Sequence, residues 1–350
     1  MTWRAVVNAV FIAVPMLCLD RGGPLVAAPQ IHARESCSDC LTSTLGVRDV
    51  EAIASADTSS ASWTLHKRVN EVTVFFTVTD RHNFVQNLIE RDIHVTDNHK
   101  PVVRITAFSR QRDLPLRLGL VIDTSGSVNP RFHFEQDAAT QFLKHIVQRP
   151  SDRAFVLGFA DHTSLTQDYS NDAEQLAQGV ATLRNGGGTA FFDAVDSACE
   201  KLAAPGNDEF AARVLVVLSD GDDNASKSNL RQVLDNAQLR DVTIYTINTR
   251  IDSLNSIDSV SSEKGDAVLK RLAEQSGGRL FSRMNARGVA KAFSTLEDEM
   301  RNRYALFYQP TDLVQNGTFH RIQIAAEKSG RRLHVHARKG YYARLRPSHE

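Results

Sequence analysis

The sequence predicts an α/β fold, in which a doubly wound, mostly parallel sheet accompanies a split β domain formed by flanking N- and C-terminal strands. Between residues 113 and 302, short apolar runs bounded by polar turns alternate with helical patterns. This alternation is typical of a parallel sheet covered by helices on both faces. Before and after this region, strand patterns return without helices. We therefore expect the two flanking β segments to pair around an inserted α/β domain.

The chain divides into five predicted segments. They are a signal peptide at 1–28, a flexible leader at 29–66, a β segment at 67–112, the α/β domain at 113–302 and a C-terminal β segment at 303–345 that pairs with the first. A chain of 350 residues, 42% of them apolar, is long enough for this division. Its 41 basic and 41 acidic residues balance, so no basic excess indicates a nucleic-acid partner.

The first residues are typical of a secretory signal. Arg4 precedes an apolar stretch at 5–14, and the small residues Ala27 and Ala28 follow. The stretch is short and Pro15 ends it, which disfavours a membrane span. We expect an exported protein in the periplasm, on the cell surface or in the medium, with no membrane span after signal removal. An uncleaved anchor is the alternative, and the exact cleavage site stays open.

Four cysteines are present. Cys37 and Cys40 form a C-x-x-C in a polar segment, and a single such pair is weak evidence for zinc. In an exported chain a local disulfide is the preferred interpretation, although the sequence does not say whether it forms. Cys18 would leave with the signal, and Cys199 lies in an apolar helical pattern that predicts a core position.

Each element follows from a local pattern. Every second residue from 72 to 78 is apolar, as on the buried face of a strand, and a turn at 97–98 separates further strands near 93–95 and 102–105. In the α/β region we expect strands at 118–122, 155–159, 214–218 and 242–247, with helices at 132–147, 173–183, 192–202, 230–239, 267–275 and 289–300. The C-terminal strands are expected at 304–308, 319–325, 333–336 and 341–342.

Oxygen-bearing side chains occupy three loops of the predicted parallel sheet. One loop follows the first strand of the sheet directly, one contains three glycines and precedes a helix, and one follows the strand at 214–218. The candidate metal ligands in these loops are Asp123, Ser125, Ser127, Thr189 and Asp220. In open parallel sheets, ligands bind beyond the carboxyl ends of the strands, so we expect the three loops to meet there.

The chemistry of these side chains suits a hard cation. Asp123 and Asp220 supply two negative charges, and the three hydroxyl groups supply neutral oxygens. Mg²⁺ prefers about six oxygen ligands and readily keeps water. Three hydroxyls and water-bridged carboxylates leave one position for an outside ligand, which a carboxylate of a partner protein would fill. Ca²⁺ and Mn²⁺ are alternative ions.

The pattern Asp123-x-Ser125-x-Ser127, followed by Thr189 and Asp220, resembles the metal-ion-dependent adhesion site of von Willebrand factor type A domains, which have a Rossmann-like fold. The resemblance implies that the two serines coordinate the ion directly. It also implies that the threonine does so in some conformational states and that the aspartates act largely through water. The flanking β segments resemble those of a bacterial group of exported proteins related to this domain.

The resemblance implies a binding module of metal-dependent protein recognition or adhesion, whose ligand presents an exposed Asp or Glu. A structural scaffold, in which the ion chiefly orders the loops, is the alternative, and a hydrolase is a third. A second carboxylate two residues after Asp123 would favour phosphoryl transfer, but Ser125 stands there. A hydrolytic triad needs a histidine, but no histidine lies in the three loops, and His162 is the nearest candidate. We therefore expect no enzyme activity, and the sequence does not predict an oligomeric state.

Several polar residues have plainer interpretations. Asp222 and Asp223 are expected to be solvated loop charges rather than ligands. The glycines at 186–188 lack the lysine of a phosphate-binding loop. His334 and His336 share one face of a predicted strand, and we expect them to face solvent.

Overall fold

The structure is a computed structural model that describes residues 71–81, 83–110, 114–126, 132–204, 211–250, 259–282, 286–312 and 316–343. These residues belong to one compact unit, Trp63–Glu350. The predicted signal peptide and the whole of the predicted leader lie outside the described residues, as do Cys18, Cys37 and Cys40. Cys199 is buried, as expected for a core residue.

Short strands and turns make up the region before the α/β domain. The strands are β1 (Val72–Asp80), β2 (Asn83–Phe84), β3 (Ile93–Asp97), β4 (Lys100–Pro101) and β5 (Arg104–Arg110), with one 3₁₀ turn at Glu90–Asp92. The residues of β1 alternate in burial over its first half, because a strand places successive side chains on opposite faces. The strands predicted at 72–78 and 93–95 are therefore confirmed, whereas the one predicted at 102–105 begins only at Arg104, and β2 and β4 were not predicted.

The α/β region alternates strands and helices as expected. Its strands are β6 (Leu116–Asp123), β7 (Arg153–Phe159), β8 (Thr163–Ser170), β9 (Ala212–Ser219), β10 (Val242–Asn248) and β11 (Leu280–Phe281). Its helices are α1 (Phe132–Ile146), α2 (Ala173–Ala181), α3 (Phe191–Leu202), α4 (Leu230–Leu239), α5 (Ser259–Ser276) and α6 (Ala286–Arg301). The strands form one sheet in the order β11-β10-β9-β6-β7-β8, and only β8 runs antiparallel to its neighbour.

Two hydrophobic cores lie on opposite faces of this sheet. Helices α1, α2 and α6 pack on one face, where Phe142 stacks on Phe293 with ring centroids 4.6 Å apart. Helices α3, α4 and α5 cover the other face, where Val195 and Leu272 join the core. Because both faces are covered, β6 is buried along its whole length. The predicted doubly wound sheet is confirmed.

Within the α/β region, two strands and part of one helix were not predicted. The edge strand β8 is mostly polar, and only Ser170 among its residues is buried, so it gives no apolar alternation. Strand β11 has only two residues. Helix α5 begins at Ser259 rather than near residue 267, because its first turns contain serine, glutamate and lysine without an apolar period.

The flanking segments form a second, antiparallel sheet. The last strands are β12 (Tyr304–Gln309), β13 (Phe319–Lys328), β14 (Arg331–Ala337) and β15 (Gly340–Tyr342). The main strand order is β4-β3-β13-β14-β1-β12-β5, so strands from both ends of the chain interleave. Val74 of β1 pairs with Leu306, and Val78 pairs with Val335. The expected second sheet of flanking strands is confirmed, whereas the segment boundaries stay a prediction.

Polar contacts dock the second sheet onto the α/β region. The guanidinium of Arg338 donates to the carboxylate of Asp241 and to the carbonyl of Thr73, both at 2.6 Å. His336 bonds through Nε2 to the carbonyl oxygen of Gly278 at 2.7 Å. The expectation that His336 faces solvent is therefore wrong, because the neighbouring region of the chain covers its ring; His334 is exposed as expected.

Candidate metal centre

The first candidate loop begins at a buried carboxylate. Asp123 ends β6 and is fully buried, where its Oδ1 accepts a hydrogen bond from the amide of Ser125 at 2.9 Å. Its Oδ2 accepts from the hydroxyl of Ser219 at 2.8 Å. Burial raises the pKa of Asp123 above its ordinary value, hydrogen bonds from Ser125 and Ser219 oppose the rise, and the nearby charge of Asp220 adds to it. A carboxylate in such surroundings favours a bound cation.

The glycine loop lies directly against the first loop. The amide of Gly186 donates to the carbonyl of Thr124 at 2.7 Å, and the amide of Gly126 donates to the carbonyl of Gly187 at 3.3 Å. Gly187 has φ +95°, and a Cβ there would lie 2.3 Å from Oδ2 of Asp161. The positive φ therefore favours glycine at this position, and a larger residue would also have to displace the carboxylate of Asp161.

Asp161 is a residue of the site region that the sequence did not reveal. Its Oδ1 accepts a hydrogen bond from the amide of Gly188 at 2.6 Å and so anchors the glycine loop. Asp161 follows β7, which is the neighbour of β6 in the sheet. Its position after a parallel strand was the available signal, because the carboxyl ends of such strands meet at one edge.

The third candidate loop, which follows β9, forms hydrogen bonds with Thr189 of the glycine loop and with the start of α3. The amide of Thr189 donates to Oδ1 of Asn224 at 2.8 Å, and the amide of Asn224 returns a bond to the carbonyl of Thr189 at 3.0 Å. Asp223 accepts from the amide of Phe191, the first residue of α3, at 2.9 Å. The expectation that Asp223 is merely a solvated charge is therefore wrong, because it satisfies an amide at a helix start. Asp222 is exposed and carries an ion pair.

Asp220 lies where β9 ends and is almost fully buried. Its Oδ1 accepts from the amide of Asp222 at 3.2 Å. The next residue, Gly221, has φ +79°, and a Cβ there would lie 2.5 Å from the carbonyl oxygen of Gly265 in α5. The chain direction after Asp220 is thus set by a glycine turn pressed against a helix.

Arg250 is a second residue that the sequence did not reveal. Its Nη2 lies 2.6 Å from Oδ2 of Asp222 and 3.5 Å from Oδ2 of Asp220. Burial raises the pKa of Asp222, the charge of Asp220 raises it further, and Arg250 opposes the rise. A guanidinium therefore lies beside one of the two carboxylates that the sequence assigns to the metal.

The described residues are compatible with a divalent oxygen-seeking cation. Asp123, Ser125, Thr189 and Asp220 lie on loops at one edge of the sheet, and each is nearly buried. Ser127 lies outside the described residues. Within the described part of the chain, no group of three or more His, Cys, Asp or Glu side chains is close enough to hold an ion. The candidate ligands are carboxylates and hydroxyls, a kind of oxygen set that suits a hard cation better than a soft metal.

The hydrolase alternative gains no support from the histidine that it requires. His162 is exposed on the turn between β7 and β8, and its carbonyl accepts from the amide of Ala160 at 3.2 Å. A general base needs to be within hydrogen-bond reach of the proton that it takes.

The fold and the loop arrangement agree with a comparison against family models. Residues 118–294 match the von Willebrand factor type A domain, and the chain belongs to this family. Domains of this family generally mediate protein interactions. Among curated proteins, none matches the chain. In the described residues, no helix is long and apolar enough to cross a membrane.

Several solved structures are similar. A von Willebrand factor type A protein from Catenulispora acidiphila is 11% identical, with a TM-score of 0.44 over 80% of this chain and 74% of that chain. The vWF domain of the type V pili tip protein Mfa5 from Porphyromonas gingivalis is 13% identical, with a TM-score of 0.44 over 53% and 94%. Proximal thread matrix protein 1 from the mussel byssus, with a zinc-occupied MIDAS motif, is 15% identical, with a TM-score of 0.43 over 55% and 47%.

Proposed function

We propose that this protein binds a partner protein through a divalent ion, and that an exposed Asp or Glu of the partner completes the ion's coordination. The proposed ligands are Asp123, Ser125, Ser127, Thr189 and Asp220. Mg²⁺ is the expected ion, with Ca²⁺ or Mn²⁺ as alternatives. Ser127 enters from the sequence pattern alone.

One observation carries the proposal. Asp123 ends β6, Asp220 directly follows the neighbouring strand β9, and both carboxylates are buried. Two carboxylates removed from water repel each other, and a dication between them offsets both the repulsion and the loss of hydration. The hydroxyls of Ser125 and Thr189 add oxygens without adding negative charge, so the ion would remain able to accept an acidic ligand.

The proposed ligands have different roles in binding the ion. The two aspartates attract the ion, and the serine and threonine hydroxyls fix its place at the rim of the sheet. The ion supplies Lewis acidity toward one outside carboxylate. Hydrogen bonds of Gly186 to Thr124 and of Asn224 to Thr189 hold the three loops against one another. These backbone bonds favour the binding role over the scaffold role, because they tie the loops without an ion.

The location and the segment boundaries belong to the same proposal. We propose export, because Arg4, the apolar stretch at 5–14 and the small residues Ala27 and Ala28 form a pattern that is typical of a secretory signal. The proposed α/β domain is 113–302, with 67–112 and 303–345 as the two halves of the β domain. A partner in the cell envelope or outside the cell would then meet the ion-binding edge of the sheet.

Isothermal titration of the purified protein with Mg²⁺ tests the site. Asp123→Ala should weaken Mg²⁺ binding by at least about 100-fold, because it removes a charge and a ligand anchor. Asp168→Ala is the matched control, since Asp168 is exposed on β8 and pairs with Lys201. It should leave the affinity unchanged. Unchanged affinity in Asp123→Ala, with the fold verified by circular dichroism, would refute the site.

A capture experiment separates binding from scaffolding. The purified protein is immobilised and exposed to an envelope extract with Mg²⁺ or with a chelator. The binding proposal expects a captured protein that is lost with the chelator and with Asp123→Ala. Mg²⁺ binding without any effect on capture would favour the scaffold.

A further inference from the structure

We propose that Arg250 is an internal counter-cation of the metal site, which neutralises Asp220 and Asp222 when the ion is absent and competes with the ion for Asp220. The inference rests on the proposed function. Arg250 would then be a positioning residue that sets how tightly the site holds its ion. Neither the motif nor the family match assigns this residue a role.

The position of Arg250 is fixed by the strand that precedes it. Asn248, the last residue of β10, pairs in register with Ser219 of β9. The amide of Thr249 donates to the carbonyl of Ser219 at 3.2 Å, and the amide of Arg250 donates to Oδ1 of Asn248 at 2.7 Å. The backbone around Arg250 is therefore tied to the strand that ends just before Asp220.

The side chain of Arg250 is directed at the acidic loop. Its side chain is 20% exposed, and Nη2 approaches Asp222 at 2.6 Å and Asp220 at 3.5 Å. The Asp220 side chain is 8% exposed. A guanidinium that is mostly removed from water interacts with its carboxylates more strongly than an exposed ion pair does. The contact with Asp220 is thus mostly removed from water, whereas the contact with Asp222 lies at the surface, because the Asp222 side chain is 48% exposed.

Both oxygens of Asp220 already have protein partners. Oδ1 accepts from the amide of Asp222, and Oδ2 faces Arg250. A dication near Asp220 meets the positive guanidinium, and the two cations repel each other. Binding through water leaves Arg250 in place, whereas closer approach of the ion requires the guanidinium to withdraw. In either case Arg250 opposes the ion.

Arg250 also compensates the site when no ion is bound. Asp123 and Asp220 are both buried, and Asp222 adds a third carboxylate nearby. Without Arg250, these carboxylates would lose the positive charge that offsets their mutual repulsion. Arg250 therefore stabilises the ion-free fold and lowers the affinity for the ion. Because the ion is then held less tightly by the protein alone, the carboxylate of an acidic partner contributes more to keeping it bound.

The test compares wild type with Arg250→Gln and Arg250→Met, two variants that remove the charge, and with Arg250→Lys, which keeps it. Mg²⁺ affinity is measured by calorimetry, and the thermal midpoint is measured in chelator. Arg250→Gln and Arg250→Met should bind Mg²⁺ about three- to tenfold more tightly and melt at a lower temperature without the ion. Arg250→Lys should remain near wild type in affinity.

Two further measurements make the result specific. The affinity gain should shrink as KCl is raised, because salt screens the repulsion between the cations. Arg231→Gln is the matched control, since Arg231 is 89% exposed on α4, and it should change neither quantity. Equal or weaker Mg²⁺ affinity in both neutral variants would overturn the role of Arg250 alone. Absence of Mg²⁺ binding in wild type and in every variant would overturn the proposed function together with it.

Discussion

At Thr189 the backbone and the side chain have separate tasks. The amide and carbonyl of this residue exchange hydrogen bonds with Asn224, and these bonds hold the glycine loop against the loop after β9. The hydroxyl is the proposed ion ligand. A substitution of the Thr189 side chain should therefore alter ion binding without altering the fold, because the hydrogen bonds to Asn224 use only the backbone of Thr189.

We predict that Thr189→Val weakens Mg²⁺ binding by about tenfold, because it replaces the hydroxyl with a methyl group of similar size. Thr189→Ser should retain most of the affinity, since it keeps the oxygen. Both variants should melt near the wild-type temperature. Calorimetry and thermal melts provide the measurements, and equal Mg²⁺ affinities for the valine and serine variants would contradict a coordinating hydroxyl.

A substitution of Gly221 tests whether the turn after Asp220 requires glycine. We expect Gly221→Ala to lower the free energy of unfolding by about 2–4 kcal/mol, because φ is +79° and a Cβ would lie 2.5 Å from the carbonyl oxygen of Gly265. Gly330→Ala is the matched control. Gly330 has φ +74°, but a Cβ at this position would meet no atom within 4 Å, so the variant should lose only about 1 kcal/mol. Urea denaturation that gave equal losses would contradict a steric role for Gly221.

At the scale of elements, the loop after β9 acts as a clamp on the start of α3. Asp223 accepts from the amide of Phe191, and the hydroxyl of Ser226 accepts from the amide of Asp193. Asp193 in turn accepts from the amides of Lys227 and Ser228 at 3.0 and 2.8 Å. These hydrogen bonds tie the loop to the helix, and they connect the proposed ligand Asp220 to the segment that contains Thr189.

The clamp predicts a pH dependence of stability. Burial raises the pKa of Asp193, but the amides of Lys227 and Ser228 lower it more, so the pKa lies below its ordinary value of 3.8. A carboxyl with a lowered pKa stabilises the fold above pH 3.8, and this contribution is lost as the pH falls through the folded-state pKa.

We expect Asp193→Asn to cost about 1 kcal/mol of unfolding free energy at pH 7. The difference from wild type should shrink as the pH falls below 3.8, because both side chains are then uncharged. Chemical denaturation of both proteins from pH 7 to pH 3, in chelator, measures the difference. A gap that stayed constant across this range would show that the charge of Asp193 does not hold the clamp.

At the scale of the whole molecule, residues far apart in the chain join the two sheets and the two ends of the β domain. Asp97 of β3 accepts hydrogen bonds from the hydroxyls of Tyr308 and Tyr341, both at 2.8 Å, and contacts His320 at 2.8 Å. This buried cluster links the N-terminal segment to three C-terminal strands. Polar groups in such a cluster are costly to leave unpaired, so they favour one arrangement of the halves.

The junction between the sheets should be sensitive to Arg338. We expect Arg338→Ala to lower the free energy of unfolding by about 2–3 kcal/mol, because it removes the guanidinium that donates to Asp241 and to the carbonyl of Thr73. Arg331→Ala is the control, since Arg331 is 74% exposed and pairs with Asp80 at 3.5 Å, and should cost less than about 0.5 kcal/mol. Similar urea midpoints for the two variants would show that the Arg338 contacts do not stabilise the junction.

The sequence by itself determined four of the five parallel strands, most helices, the flanking β patterns and the candidate ligands, of which Asp123 and Asp220 lie where buried strands end. These features depend on the periods of apolar residues and on the ends of strands, which are local properties of a chain. It did not reveal β8, because an edge strand can be polar on both faces and still pair its backbone.

Only the tertiary structure decided which residues support the site. Asp161 reaches the glycine loop from 27 positions away, Asn224 reaches Thr189 from 35, and Arg250 reaches Asp222 from 28. An aspartate or arginine in a loop has the same local pattern whether it is solvated or paired. Its role depends on which strands lie side by side, and that arrangement is set by packing of the whole chain rather than by the neighbouring residues.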